Sequence, residues 1–193
     1  MDVKPIVLEG SRVVLTPMEE AHIEGLYHAG SDARIWELQG KLIEHPDDMR
    51  KFVLSALSEQ ARGTELPFTI IDQETGKIVG STRFMDIMAT HRALEIGWTW
   101  YHPDVWRTRV NTECKYLLLR HAFETLGTVR VQLKTDKRNT RSQAAIQRIG
   151  GVYEGTLRNH RILPDGYIRD TVYFSIVASE WPDAKKRLEG YLS

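Results

Sequence analysis

Residues 105–126, VWRTRVNTECKYLLLRHAFETL, join an Arg-rich polar loop to a long amphipathic helix. Cys114, Leu117, Leu118, Ala122 and Leu126 recur at three and four residues, the period of one helix face. Glu113, Lys115, Arg120 and Glu124 fall mostly off that stripe and are expected on the wet side. Asn111 reads as the N-cap and Gly127 as the stop, so the free backbone amides point back into the loop 106–112. Those amides and the positive end of the helix dipole favour an anion, and Arg107 and Arg109 add charge. Every capped helix start offers similar amides, so the local pattern supports an anion site and equally a hydrated helix end.

Composition bounds what surrounds this stretch. The chain has 193 residues, 41% hydrophobic and 27% charged, enough for one domain with a substantial core over 1–193. Lys plus Arg and Asp plus Glu both number 26, so no global positive field draws the molecule to nucleic acid or to an anionic membrane. No long apolar run follows a basic start, and no membrane-length apolar stretch occurs, which makes the cytoplasm the expected compartment. Cys114 is the only cysteine, which excludes an intrachain disulfide and a cysteine-based metal cluster; on the apolar stripe it reads as a packing thiol. Nothing resembles His-Glu-x-x-His or a phosphate-binding P-loop, and no metal is expected.

Outward from the helix, alternation and turn residues place the other elements. A strand is expected at 12–15, a helix from Pro17 to about Ala29, and a second helix from Pro46 to Arg62, ended by Gly63. Strands at 68–71 and 78–85 flank the turn at 74–76, and 93–100 continues the meander. After the opening helix come a strand at 130–135, a helix capped by Asn139 and stopped by Gly150 and Gly151, a hairpin of 152–163 and 168–177 around 164–166, and a last helix near Ser179. The order predicts an α/β (α+β) fold: a mixed, mostly antiparallel twisted sheet of about seven strands with helices on both faces.

Five segments in this order carry a family resemblance: LEGSRVVLTP (8–17), ALEIGWTW (93–100), WRTRVNTECKYLLLRHAF (106–123), NTRSQAAIQRIGGVYEGTLR (139–158) and LPDGYIRDTVYFSIVASEW (163–181). Together they resemble the Gcn5-related N-acetyltransferases (GNAT), in the branch of the ribosomal-protein alanine acetyltransferases, over almost the whole chain. The resemblance implies acetyl-coenzyme A as acyl donor, with its pyrophosphate on the amides of a Gln/Arg-x-x-Gly-x-Gly/Ala loop. That motif aligns with Trp106, Arg107, Thr108, Arg109, Val110 and Asn111, continuing into Thr112. Arg109 and Asn111 stand where the motif has glycines, so close backbone approach is less assured. The pantetheine arm is implied along the backbones of Trp98, Trp100 and Tyr101, whose large side chains read equally as core, the two tryptophans above all. Six basic residues between 130 and 148, against Asp136, fit the nucleotide end or a solvated face.

Asn139 matches the asparagine that caps the next helix and reaches the pantetheine arm. Ser142 matches a serine placed near the departing thiolate; a serine in a first helical turn is also an ordinary backbone partner. Ile146 stands where many relatives carry a tyrosine acid, which leaves Ser142 or water to protonate the thiolate. Glu95, in LEIGW, is the expected base, with a plain polar strand position as the alternative. Arg161 replaces a glutamate of the ribosomal relatives; an unperturbed imidazole at His160 beside it would suit a base, and a lone strand histidine reads otherwise as a surface or packing residue. The acceptor groove is implied between 36–44 and 159–167, with Trp36, Gln39, Phe84 and His160 on its walls. Two readings stand: direct acetyl transfer to a primary amine, on a protein N-terminus or a small molecule, and a non-catalytic acyl-coenzyme A binding domain of the same fold. Open terminal strands are also compatible with a homodimer.

Overall fold

The computed structural model describes residues 1–39 and 43–193. Its strands are β1 (Leu8–Glu9), β2 (Val13–Pro17), β3 (Leu66–Asp72), β4 (Lys77–Met88), β5 (Ala93–Tyr101), β6 (Arg130–Asp136), β7 (Val152–Ile162) and β8 (Ile168–Val177). The helices are α1 (Ile23–Gly30), α2 (Pro46–Ala61), α3 (Arg109–Arg120), α4 (Thr140–Arg148) and α5 (Trp181–Leu192). The strands form one sheet in the order β1-β2-β3-β4-β5-β6-β8-β7. Among the described strands only β5 and β6 pair in parallel, and parallel pairing needs a crossover, here α3.

Helix α3 is buried on more sides than its spacing predicts. Glu113 and Lys115, expected in water, are 5% and 7% exposed, because α3 lies between the sheet, the β1–β2 turn and α5. Its cap is Thr108 rather than Asn111, and past Arg120 it widens into a π-turn at His121–Thr125 before Gly127 stops it with φ +66°. The first helix starts late. Pro17 closes β2, a 3-10 turn follows at Glu20–His22, and α1 begins at Ile23. The pair Leu8–Glu9, which alternation missed, adds the eighth strand, and α5 starts at Trp181 rather than Ser179.

Alternation sends side chains to two cores. Leu94, Ile96, Val131, Leu133, Val172, Phe174 and Ile176 meet α3, α4 and α5 on one face. Trp100 meets α1, α2 and Trp36 on the other. Because strand side chains alternate, Glu95, Gln132, Lys134, Thr171, Tyr173 and Ser175 share the α1/α2 face. The sheet splits beside them. Pairing of β5 with β6 runs from Ala93–Arg130 to Glu95–Gln132 and ends, while both strands continue. A bulge on β5 helps turn it away: Ser81 faces Trp100 but Arg83 faces Gly97, and Trp98 takes φ +49°. Gly80 lets the two backbones approach there, since a Cβ on it would overlap the Trp100 carbonyl oxygen.

Candidate active site

The cleft lies where β5 leaves β6, bordered by the first turns of α3 and α4. At α3, the Thr108 Oγ1 accepts from the Val110 N–H at 3.3 Å and donates to the Val105 carbonyl at 2.7 Å. Arg109 is therefore the first helical residue and Asn111 the third, in right-handed backbone where a side chain causes no strain. The glycine-like backbone falls instead on Arg107, at φ +62°. The Arg109 guanidinium does not face the loop; it donates to the carbonyls of Leu192 and Ser193 at 2.9 and 3.1 Å, a correction to its expected part in charge at the anion site. The side chains of Val110 and Thr112 are likewise committed inward: Val110 is core, and the Thr112 hydroxyl accepts from Arg148 at 3.0 Å. Two other cations approach the loop, Arg141 and Arg34, at 4.4 and 5.6 Å from the Trp106 ring centroid. The Trp106 indole in turn donates to the Tyr101 carbonyl at 2.9 Å.

Glu95 sits at the fork, 1% exposed. Its Oε2 accepts from Gln132 Nε2 at 2.8 Å and pairs with Lys134 Nζ at 3.0 Å. Lys134 also reaches Asp86 at 3.4 Å. The other carboxylate oxygen, Oε1, is buried without a hydrogen-bond partner and lies beside Gly97, where a Cβ would stand 2.9 Å from it. Burial raises the Glu95 pKa above its ordinary 4.5, against the pull of Lys134 and Gln132. Burial opposes the charge of Lys134, yet Glu95 outweighs it and lifts the Lys134 pKa. A buried carboxylate with one oxygen that accepts no hydrogen bond is suited to taking a proton.

On the far wall, Asn139 caps α4: its Oδ1 accepts from the Ser142 N–H at 2.9 Å. Ser142 is half-buried in the first turn of α4, just past the end of β6. Beyond Glu95 no strand among the described residues pairs with the β6-side edge of β5, so backbone donors and acceptors line the cleft from the fork towards the start of α3. An extended, amide-bearing arm ending in phosphates fits this lining.

Residues 12–152 match the model of the acetyltransferase (GNAT) domain. This chain belongs to the GNAT family. The GNAT domain here is similar in structure to a GCN5-related N-acetyltransferase from Brucella melitensis, with a TM-score of 0.93 and 26% identity over 99% of this chain and 87% of that one. In sequence it is 24% identical over 176 residues to the uncharacterized N-acetyltransferase YoaA of Bacillus subtilis (strain 168), covering 89% of this chain and 96% of the relative. It is 23% identical over 170 residues to the ribosomal-protein-serine acetyltransferase of Escherichia coli (strain K12), covering 86% and 93%. The family, the enzyme class and the fold implied by the five segments are thereby established, and the likeness to a ribosomal-protein enzyme agrees with the branch, though weakly.

The remaining expected residues of this GNAT domain divide sharply. Phe84 is no groove wall: it is fully buried on the α3 face, edge-on to Phe68 and stacked on His121, because its strand position alternates into that core. Trp36 is also core, 2% exposed, packed against Phe52 and Trp100 with its indole donating to the Gly30 carbonyl at 2.7 Å. Trp100 joins it, and Tyr101 buries its ring on the opposite face beside Cys114, whose thiol burial pushes up to about 12. Trp98, lifted by the bulge, is 40% exposed and covers Arg83, which also lies over Phe52 and pairs with Glu65 at 2.7 Å. Gln39 is half-buried, and the expected wall at 40–42 lies outside the described residues. His160 is half-buried on the sheet face of Glu95, its Nδ1 3.0 Å from the Thr171 hydroxyl. Gln132 and Lys134, the partners of Glu95, were missed; their alternation with Val131 and Leu133 placed them opposite the core but could not pair them with a residue on another strand. Among the described residues no group of His, Cys, Asp or Glu is arranged to hold a metal ion, and no helix is long and apolar enough to cross a membrane.

Proposed function

We propose that this GNAT domain, taken as one unit over 1–193, transfers an acetyl group from acetyl-coenzyme A to a primary amine in a ternary complex. The observation that carries this reading is the open edge of β5 past Glu95, running from a buried, partly unpartnered carboxylate to the amides of α3. The pantetheine arm adds to that edge as a short strand, using the backbones of Trp98, Trp100 and Tyr101. Its pyrophosphate rests on the amides of 108–112, with Arg107, Arg34 and Arg141 supplying charge. Asn139 turns its side-chain amide to the arm.

Glu95 Oε1 takes the ammonium proton of the acceptor, directly or through one water, and the freed amine attacks the thioester carbonyl. The C–N bond forms as the C–S bond breaks, a β5 amide stabilises the oxyanion, and the proton that the attacking nitrogen then sheds passes through Ser142 or water to the departing thiolate. The setting is a soluble one in the cytoplasm, and the long edge strand β7 leaves room for a homodimer.

Incubation with acetyl-coenzyme A and an amine panel, followed by free thiol and acceptor mass, tests the reading. Glu95→Gln keeps the shape of the side chain and removes the base. It should lower kcat by about 10²–10³ while the Kd for coenzyme A changes less than twofold. The limb of the pH–rate profile that rises through a pKa above 4.5 should vanish with it. An unchanged profile would assign the proton to another group; tight cofactor binding without turnover on any amine would favour the non-catalytic reading.

A further inference from the structure

Beyond Glu95, the α1/α2 face of β6, β8 and β7 brings Arg161 and Arg169 together, while the nearest carboxylates, Asp136, Asp86 and Glu95, are held mainly by Arg138 and Lys134. Arg161 and Arg169 stand directly opposite each other across β7 and β8, and His160 precedes them. Like charges in register destabilise a strand pair, so the arrangement has no reason in the fold alone. Arg169 is 20% exposed, and its buried Nε makes no hydrogen bond; the Asp136 carboxylate is 3.9 Å away. That carboxylate is already taken by Arg138, which donates from Nε at 3.1 Å and Nη2 at 2.8 Å and lies over the Tyr167 ring. Asp86 and Glu95 are likewise held by Lys134. Among the described residues the Arg161 guanidinium has no partner. The cations feel one another: burial and the Arg161 charge lower the Arg169 pKa, and burial with Arg161, Lys134 and Arg169 lowers that of His160. Lys134, the partner of Glu95, faces Tyr173 across β6 and β8, and the His160 ring lies 5.9 Å from the Tyr173 ring, so the cluster borders the strand positions next to the base.

Resting on the acyl-transfer reading above, we infer that Arg169, Arg161 and His160 form a subsite for a carboxylate carried by the acceptor, several bonds beyond the amine delivered to Glu95. An anion there supplies the missing counter-charge and the hydrogen bonds that the Arg169 Nε lacks. The same charges repel a polycation, so polyamines are poor acceptors. A carboxylate of this kind belongs to an amino acid-like small molecule or to an acidic residue next to a peptide N-terminus.

Matched pairs test it: 5-aminopentanoate against its amide, alanyl-glutamate amide against alanyl-glutamine amide, and spermidine. In each pair kcat/KM should be at least tenfold higher for the carboxylated member, and the pair with the larger ratio identifies the source. Arg169→Gln should bring that ratio to within about threefold of unity; the exposed Arg161→Gln, whose folding is not at risk, should lower it in the same direction. Equal rates within both pairs, or a ratio unmoved in both variants, overturn the inference. Calorimetric binding of the same pairs to the coenzyme A complex gives a readout apart from turnover. If no amine is acetylated yet the carboxylated partners still bind tighter through Arg169, the transfer reading falls and the subsite stands; no preference in binding removes the subsite.

Discussion

Lys115 shows how strongly one side chain can be at odds with its sequence neighbours. It is buried in α3 with its ammonium donating to the Thr99 hydroxyl at 2.8 Å, and Thr99 is linked to Thr82 at 2.8 Å. Burial pulls its pKa from 10.5 to about 8, with Cys114 and Glu95 opposing. The folded value lies below the unfolded one, so the folded chain sheds this proton first as pH rises. Stability tied to Lys115 is therefore lowest below pH 8 and grows between 8 and 10.5. Relative to Lys115→Met, the native chain should gain on the order of 2–3 kcal/mol across that window, read from urea midpoints of both chains at pH 7 and pH 10. A constant difference between the two chains would show that Lys115 keeps its proton. At pH 7 the methionine chain should be at least as stable, since a buried charge beside neutral hydroxyls is costly.

At the scale of elements, caps and strand register decide the cleft. The Asn139 cap does two jobs in the proposed reading, closing α4 and meeting the acyl donor. Asn139→Ala should cost about 1 kcal/mol of stability and weaken coenzyme A binding; Asn139→Asp should recover the stability, because its carboxylate still accepts from Ser142, without recovering the binding. Thermal melts with and without coenzyme A separate the two effects. The elements themselves were readable because apolar period and turn residues act locally: α2, the β3–β4 turn and the β7–β8 hairpin all form near the places where Pro46, Gly76 and Gly166 put them. The cap of α3 was not readable, since Asn111 is by residue type the better cap and yet Thr108, three residues after the 3-10 segment Pro103–Val105, takes the role. Nor was the bulge at Trp98. A positive φ on tryptophan has no local signal in the sequence, and it accompanies the splay of β5 from β6. Glu95 was found from its motif, but its ion pair with Lys134 joins strands far apart in sequence, and no spacing rule reaches across such a gap.

At the scale of the whole molecule, Glu113 ties the N-terminal strands to the helix that follows β5. Its carboxylate accepts from the amides of Ser11, Arg12 and Val13 at 2.9, 2.7 and 2.7 Å, and from the Ser11 hydroxyl at 2.8 Å. Gly10 leaves it room, for a Cβ there would collide with the carboxylate. The side chain expected in water thus joins segments a hundred residues apart. Glu113→Gln turns one accepting oxygen into a donor that faces backbone N–H groups, and should cost about 2–3 kcal/mol. Amide hydrogen exchange should quicken in β1 and β2 while β6 and β8 stay protected; uniform quickening would make the tie global rather than local. The approach of Arg141 and Arg34 to the Trp106 ring has an optical consequence. An indole with guanidinium groups close to its ring emits according to where those cations lie. A phosphate that draws Arg141 away should shift the emission of Trp106, while Trp36, Trp100 and Trp181, enclosed in the two cores, stay constant. The protein then carries its own reporter: with the exposed Trp98 replaced by Phe, a fluorescence change on adding coenzyme A that Trp106→Phe abolishes would follow occupancy of the cleft without any label.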